Sequence, residues 1–135
     1  MELEWLILAD AAQVADGKLY LLGGGWDVLN VTTGFPMQKH LAVAAAFRIP
    51  WNETNQRHVV EMEIADEDGH TLAQVGGQLE VGRPPGLPIG APQRFQLPME
   101  ALLTFEHPGT YVIVARIDGE EAGRVRFNIV APPVR

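Results

Sequence analysis

An alternation of apolar and polar side chains with a period of two is the feature that most constrains how this chain folds. The alternation runs through residues 111–117 and 124–129, which flank the turn pair Asp118-Gly119. A second alternating pair lies within residues 58–81, on either side of an acidic turn. A period of two places successive side chains on opposite faces of a strand, whereas a helix needs a period of 3.6. Both regions are therefore predicted to form β-hairpins.

The remaining apolar segments extend this pattern along the chain. Residues 41–49 are apolar at both sets of alternating positions, which predicts a central strand that is covered on two sides. Residues 84–92 carry four prolines and are predicted as an exposed loop, and residues 93–105 as a strand interrupted near Pro98. About seven to nine short strands without a long helical segment predict an all-β fold, an antiparallel β-sandwich of jelly-roll or Ig/C2-like type. We expect it to form as a single domain over residues 1–135.

The first third of the chain leaves its local structure open. Residues 2–14 fit a helical stripe as well as an alternation, and the Asp16-Gly17 pair behind them favours a strand that closes a hairpin. Consecutive glycines at 23–25 indicate a bend, so residues 18–31 form either one broken strand or two short ones. The residues alone do not choose between these alternatives.

Composition limits the partners and the chemistries that we expect. The formal net charge of −7, with 17 acidic against 10 basic residues, repels a phosphate backbone, so nucleic acid is not expected as a partner. No apolar run approaches the roughly 20 residues that cross a bilayer, and the first residues are acidic where a secretory signal is basic. No membrane association and a cytoplasmic location are therefore expected. The chain contains neither cysteine nor serine, which removes thiolate and serine nucleophiles and cysteine metal sites.

The titratable side chains show no catalytic or metal-binding pattern. The four histidines have neither the i, i+2 spacing of a strand site nor the i, i+4 spacing of a helical one. The acidic turn at residues 66–69 lacks the ligand alternation of a calcium loop and is interpreted as a solvated hairpin turn. We therefore expect no catalytic residue, no metal, no cofactor and no enzyme activity. Catalysis would need two or more of six side chains to meet in one pocket: Asp10, Asp27, His40, His58, Glu61 and Glu63.

The loop after the central strand is the best candidate for ligand binding. Trp51 stands near Asn52 and Asn55, and a flat apolar ring next to adaptable polar groups is typical of surfaces that bind sugars or peptides. Trp26, in the glycine-rich bend, is the candidate second aromatic of the same site. Turn formation explains the asparagines equally well. A glycan- or peptide-binding module is thus one hypothesis for the function.

Apolar side chains at outward positions lead to the main hypothesis. Ala42, Ala44 and Ala46 form the second face of the central strand, and Val112 and Val114 are apolar where a solvated face is polar. Either the proline-rich loop or a second protein chain would have to cover them. The sequence therefore predicts a non-enzymatic protein-interaction or self-assembly module, with a protein partner or a second copy of the chain bound at these positions.

Three stretches of the first half resemble a known family. They are Leu8–Ala12 followed by Asp16–Leu19, then Leu22–Asp27, then Ile49–Asn55 with an alternating strand behind it. Together they resemble DUF6941, a family of small bacterial proteins of unknown function, from Trp5 to about Gly69. The resemblance implies a β-rich domain and a strand for the first segment. It brings no assigned activity, cofactor or functional residue.

Overall fold

The computed structural model describes residues 1–131, which form ten strands and one short 3-10 helix over Trp51–Glu53. The all-β prediction is confirmed, and the strand number exceeds the expected seven to nine because the first 31 residues already form four strands. Residues 132–135 of the predicted domain lie outside the described part. In chain order the strands are β1 (Glu2–Ala9), β2 (Ala11–Ala15), β3 (Lys18–Leu22), β4 (Val28–Asn30), β5 (Met37–Ile49), β6 (Arg57–Asp66), β7 (Thr71–Glu80), β8 (Gln93–Phe105), β9 (Gly109–Ile117) and β10 (Glu120–Val130). Within residues 1–131, no helix has the length and apolar character to cross a membrane.

Two sheets face each other in a sandwich-like arrangement. Sheet 1 is antiparallel and has the order β1-β5-β8. Sheet 2 has the order β4-β10-β9-β6-β7 and is antiparallel except that β4 runs parallel to β10. Strands β2 and β3 form a separate two-stranded hairpin. The jelly-roll or Ig/C2-like subtype stays a prediction.

Apolar side chains at alternate strand positions fill the space between the sheets. Strand β5 lies in the middle of sheet 1, as its two apolar faces predicted, and Val43 and Phe47 on its inner face are fully buried. Strand β10 contributes Phe127 from the opposite sheet. Phe105, Tyr111 and Phe127 pack ring against ring with centroids 4.9 to 6.2 Å apart, in mostly edge-on contacts that aromatic pairs favour.

The hairpin β2–β3 covers the outer face of sheet 1. Ala42, Ala44 and Ala46 are fully buried there, and Ala12 of β2 packs against the first two. The prediction that these three alanines form an exposed interface is wrong. Their methyl groups leave room for a two-stranded ribbon of the same chain to lie on the strand, so neither the proline-rich loop nor a second chain is needed to cover them.

The two valines of the predicted interface on the outer face of sheet 2 differ in their exposure. Val114 is 5% exposed and Val112 is half-buried. The strand register places Arg124 opposite Val114 and Arg126 opposite Val112. Long arginine stems cover apolar neighbours while the charged ends stay in water. Val114 is therefore covered within the chain, whereas an interface at the half-buried Val112 stays a prediction.

Strand pairing decides the open questions of the first third. Residues 2–14 are extended, as strands β1 and β2, and the hairpin to β3 turns at Asp16 and Gly17, whose φ angles are 51° and 71°. The glycines at 23–25 separate two strands, since β3 belongs to the hairpin and β4 to sheet 2. Strand β8 runs through Pro98 without the predicted interruption, because an edge strand needs no N–H on its outer side.

Candidate functional site

The edges of the two sheets meet along one side of the sandwich but do not pair. Strand β1 is the edge of sheet 1, and β4 pairs with only the last residues of β10, Asn128 to Val130. In the described chain, residues 120–127 of β10 therefore have no strand on that side. The two strands are in close contact at Leu3 and Gly123, where a Cβ on the glycine would lie 2.6 Å from the Leu3 Cδ2. We call this line of contact the seam.

A three-residue segment, Gly25 to Asp27, closes the seam near the ends of β1 and β10. The Gly25 N–H donates to the Leu8 carbonyl of β1 at 2.7 Å, and the Asp27 carbonyl accepts from the Asn128 N–H of β10 at 2.8 Å. Between them, the Trp26 ring packs edge-on against Phe127, with centroids 5.9 Å apart and planes at 81°. The segment thus connects the edge of one sheet to the edge of the other.

An apolar groove of about 370 Å³ opens beside this segment. Leu6 and Leu8 form one wall, Val125 and Arg126 form the other, and Trp26 closes the end. The Trp26 Nε1–H is buried and has no hydrogen-bond partner among residues 1–131. An apolar recess with unpaired strand edges on both sides is a surface that can take up an extended segment. We call it the seam groove.

The tryptophan of the predicted ligand loop is already engaged by the chain itself. The Arg83 guanidinium lies 3.9 Å from the centre of the Trp51 ring, within the range of a cation–π contact. Arg83 also donates to the Trp51 carbonyl at 2.9 Å and to the Thr54 hydroxyl at 2.7 Å. Asn52 and Asn55 are exposed, and the Asn55 N–H donates to the Val81 carbonyl at 2.7 Å. These contacts fix the loop.

The two tryptophans lie near opposite ends of β1. Gly25, next to Trp26, bonds Leu8 at the end of that strand. Trp51 follows β5, whose Arg48 pairs with Glu2 at the start of β1. Six residues of a strand span about 20 Å. The structure therefore does not bring Trp26 together with Trp51, Asn52 and Asn55 into the single ligand site that the sequence suggested.

A polar recess of about 560 Å³ at the β9–β10 turn contains a buried histidine. His58 Nδ1 lies 2.9 Å from Asp118 Oδ2, and the other carboxylate oxygen accepts the Val59 N–H at 2.8 Å. The hydrogen bond to Asp118 raises the pKa of His58, although burial opposes it, and the same bond lowers the pKa of Asp118. The pair holds the turn, and with it the start of β10, against β6. Sequence reasoning named His58 but missed Asp118, whose turn position gave no signal of a side-chain partner.

The six side chains considered for catalysis do not meet in one pocket. His40 Nδ1 lies 3.1 Å from the backbone carbonyl of Asp10, at the root of the hairpin β2–β3. Glu61 and Glu63 lie on the outer face of sheet 2, where they accept from Gln74 and Arg116. The remaining two are His58 at the β9–β10 turn and Asp27 at the seam groove.

The acidic turn between β6 and β7 brings Asp66, Asp68 and His70 together, with one ligand-type atom of each within 4.8 Å of the others. Sequence reasoning interpreted this segment as a turn and did not predict the cluster. The Asp66 carboxylate accepts the backbone N–H groups of Asp68 at 2.9 Å and of His70 at 2.8 Å, and the bond from His70 is the main cause that lowers its pKa. Turn formation accounts for the arrangement without an ion.

The strand order and the seam define an all-β, sandwich-like fold. The chain belongs to DUF6941, a family of unknown function, whose profile matches residues 4–130. The resemblance inferred from the first half of the sequence is therefore confirmed, and it extends over nearly the whole described chain. No curated protein matches the chain.

One similar solved structure is a Pseudomonas fluorescens alkylpurine DNA glycosylase, AlkC, bound to DNA containing an abasic site analog. It shares 18% sequence identity with the chain at a TM-score of 0.40. The match covers 76% of this chain and 27% of the glycosylase chain, so this protein spans about a quarter of that chain's length.

The expectation that nucleic acid is not a partner is corrected, because a solved structure similar to this chain is that of a glycosylase bound to DNA. The exclusion relied on net charge, which sums over the whole molecule, whereas binding depends on the local surface. At a TM-score of 0.40, the similarity gives no argument that this chain binds DNA.

Proposed function

We propose that the protein is a non-enzymatic protein-interaction module that binds an extended peptide segment of a partner protein in the seam groove. The observation that carries the proposal is the apolar recess between two unpaired strand edges, β1 and β10. Unpaired edges accept a further strand through their backbone groups, while apolar walls hold alternate side chains of the incoming segment.

The walls of the groove favour binding over catalysis. Leu6, Leu8 and Val125 supply apolar surface, and Asp27 is the only carboxylate that lines the groove within residues 1–131. A wall that is mostly apolar holds the side chains of a ligand by burial and offers few groups for proton transfer. The larger polar recess at His58 supports binding less well, because the Asp118 carboxylate is already engaged by His58 and by the Val59 N–H.

A displayed library of random 12-residue peptides, selected on the full chain, tests the proposal. Val125→Glu places a charge in the groove wall, and Val59→Glu is the matched control, since Val59 is an exposed strand valine outside the groove. Selected peptides are expected to bind Val125→Glu at least about tenfold more weakly than the wild type, and Val59→Glu within about twofold, where tenfold corresponds to 1.4 kcal/mol.

Hydrogen exchange on the wild-type protein gives a readout that does not depend on how the variants fold. Bound peptide is expected to slow exchange in residues 5–8 and 124–127. The proposal fails if no peptide is enriched, or if the residues that bound peptide protects lie elsewhere in the chain. It is replaced by a nucleic-acid function if labelled single- or double-stranded oligonucleotides bind and protect the same residues while peptides do not.

A further inference from the structure

The backbone of the two seam walls alternates between paired and unpaired groups. In a strand, the N–H and C=O of one residue point to the same side, and those of the next residue point to the other side. The Leu8 carbonyl points into the seam, where it accepts from Gly25. The N–H and C=O of Leu6, two residues earlier in the same regular pairing with β5, therefore point into the seam as well.

The same argument applies to β10. The Asn128 N–H and the Val130 carbonyl point to the seam side, where they bond Asp27 and Val31. By alternation, the N–H and C=O of Arg126 face the seam, while those of Val125 pair with Ile113 of β9. Within residues 1–131, no backbone group outside the strands bonds Leu6 or Arg126.

We infer that the seam groove is a strand-acceptor site, in which the partner peptide hydrogen-bonds the backbones of Leu6 and Arg126 and continues the line that Gly25 to Asp27 begins. This inference rests on the proposed function. The evidence for an extended peptide as the occupant is the chain's own segment Gly25 to Asp27. This segment already bonds both edges, at Leu8 and at Asn128, two residues further along each strand. An extended peptide can bond the backbone N–H and C=O of both edges, because its own N–H and C=O groups point to both sides.

The matched variants Arg126→Pro and Arg126→Ala separate the backbone from the side chain. Both remove the exposed guanidinium, and only proline also removes the seam-facing N–H. Since that N–H bonds nothing in the described chain, thermal unfolding of the two variants is expected to agree within a few degrees. A peptide selected on the wild type is expected to bind Arg126→Pro about tenfold more weakly than Arg126→Ala.

A scan of the same peptide with single backbone N-methyl groups tests the inference without altering the protein. Affinity is expected to fall at every second position, because alternate amides of a bound strand face one edge. The strand-acceptor inference is overturned if the two Arg126 variants bind the peptide equally well and the peptide tolerates N-methyl groups at all positions. If binding is still weakened by Val125→Glu in that case, the proposed function stands. If no peptide binds, both fail. A stable dimer protected at residues 124–127 would identify a second copy as the occupant and overturn the partner peptide.

Discussion

The outer face of sheet 1 and the seam are two places where the sandwich could be left open, and the chain treats them differently. The outer face is closed by the hairpin β2–β3, which packs on Ala42 and Ala44, and Ala46 on the same face is fully buried as well. The seam is closed only where Gly25 to Asp27 bonds both edges, and a groove remains beside it. The apolar face of a sheet is covered by side-chain contacts, whereas the backbone N–H and C=O groups along a sheet edge need hydrogen-bond partners.

This contrast explains why the alanines on the second face of β5, which are apolar where a solvated face is polar, do not form the proposed binding surface. Small residues on a strand face leave room for a hairpin to pack on them, and the chain supplies one that lies 20 to 31 residues before Ala42. Unpaired backbone groups carry no signature in the side chains. The surface best suited to a partner is therefore the one that the alanine pattern does not indicate.

The largest effect is expected from a charge beneath the hairpin. Ala44→Asp buries a carboxylate at a fully covered position and should lower the free energy of unfolding by at least about 3 kcal/mol, measured by denaturant titration. Gln13→Asp, on the exposed face of the hairpin, is the control and should change it by less than about 0.5 kcal/mol. Equal effects of the two substitutions would mean that the hairpin does not cover sheet 1, and the contrast between the covered face and the open seam would be wrong.

A smaller effect is expected at the tether of the hairpin. The Glu100 carboxylate of β8 accepts the Ala12 N–H at 2.7 Å, so Glu100→Ala leaves a partly buried donor unpaired and should cost about 1 to 2 kcal/mol. Amide exchange in residues 11–22 should accelerate more than exchange in β9 and β10, because the loss is local. Glu100→Gln keeps an acceptor oxygen and should remain near the wild type. Acceleration spread evenly over all strands would show that the hairpin and the seam do not open separately.

The smallest effect concerns pH at the start of β10, the strand that forms one wall of the seam. The raised pKa of His58 gives stability that is present below its ordinary value of 6.5 and is lost as pH rises through the raised pKa. The lowered pKa of Asp118 gives stability that is present above its ordinary value of 3.8 and is lost as pH falls. The contribution of the pair should therefore peak between pH 3.8 and 6.5.

The size of this contribution is set by solvent exposure. The Asp118 side chain is 51% exposed, so the pair should contribute no more than about 1 kcal/mol. Asp118→Asn keeps the turn residue and an oxygen for the Val59 N–H but removes the charge. The difference in unfolding free energy between wild type and variant should shrink above pH 6.5. A difference that does not change with pH would show that the pair acts only through its geometry.

Much of the fold follows from local pattern. The hairpins at Asp118-Gly119 and Asp66–Gly69 and the central position of residues 41–49 were predictable, because each depends on side-chain period and turn chemistry. The two-strand outcome around the glycines at 23–25 was not, since strand membership depends on which sheet each half joins. The candidate site was predicted only through Trp26, and its supposed partner Trp51 is stacked on Arg83 instead.

The amino-acid sequence by itself determines that this protein is all-β, where most of its strands turn, and which side chains are apolar enough to lie between two sheets. These properties arise from interactions between near neighbours in the chain. Only the tertiary structure decides that β2–β3 covers the alanines and that β1 and β10 run side by side without pairing. Both outcomes depend on contacts between segments as far apart as Leu6 and Val125, and the hydrogen bonds that are left unmade belong to the backbone, which is the same in every sequence.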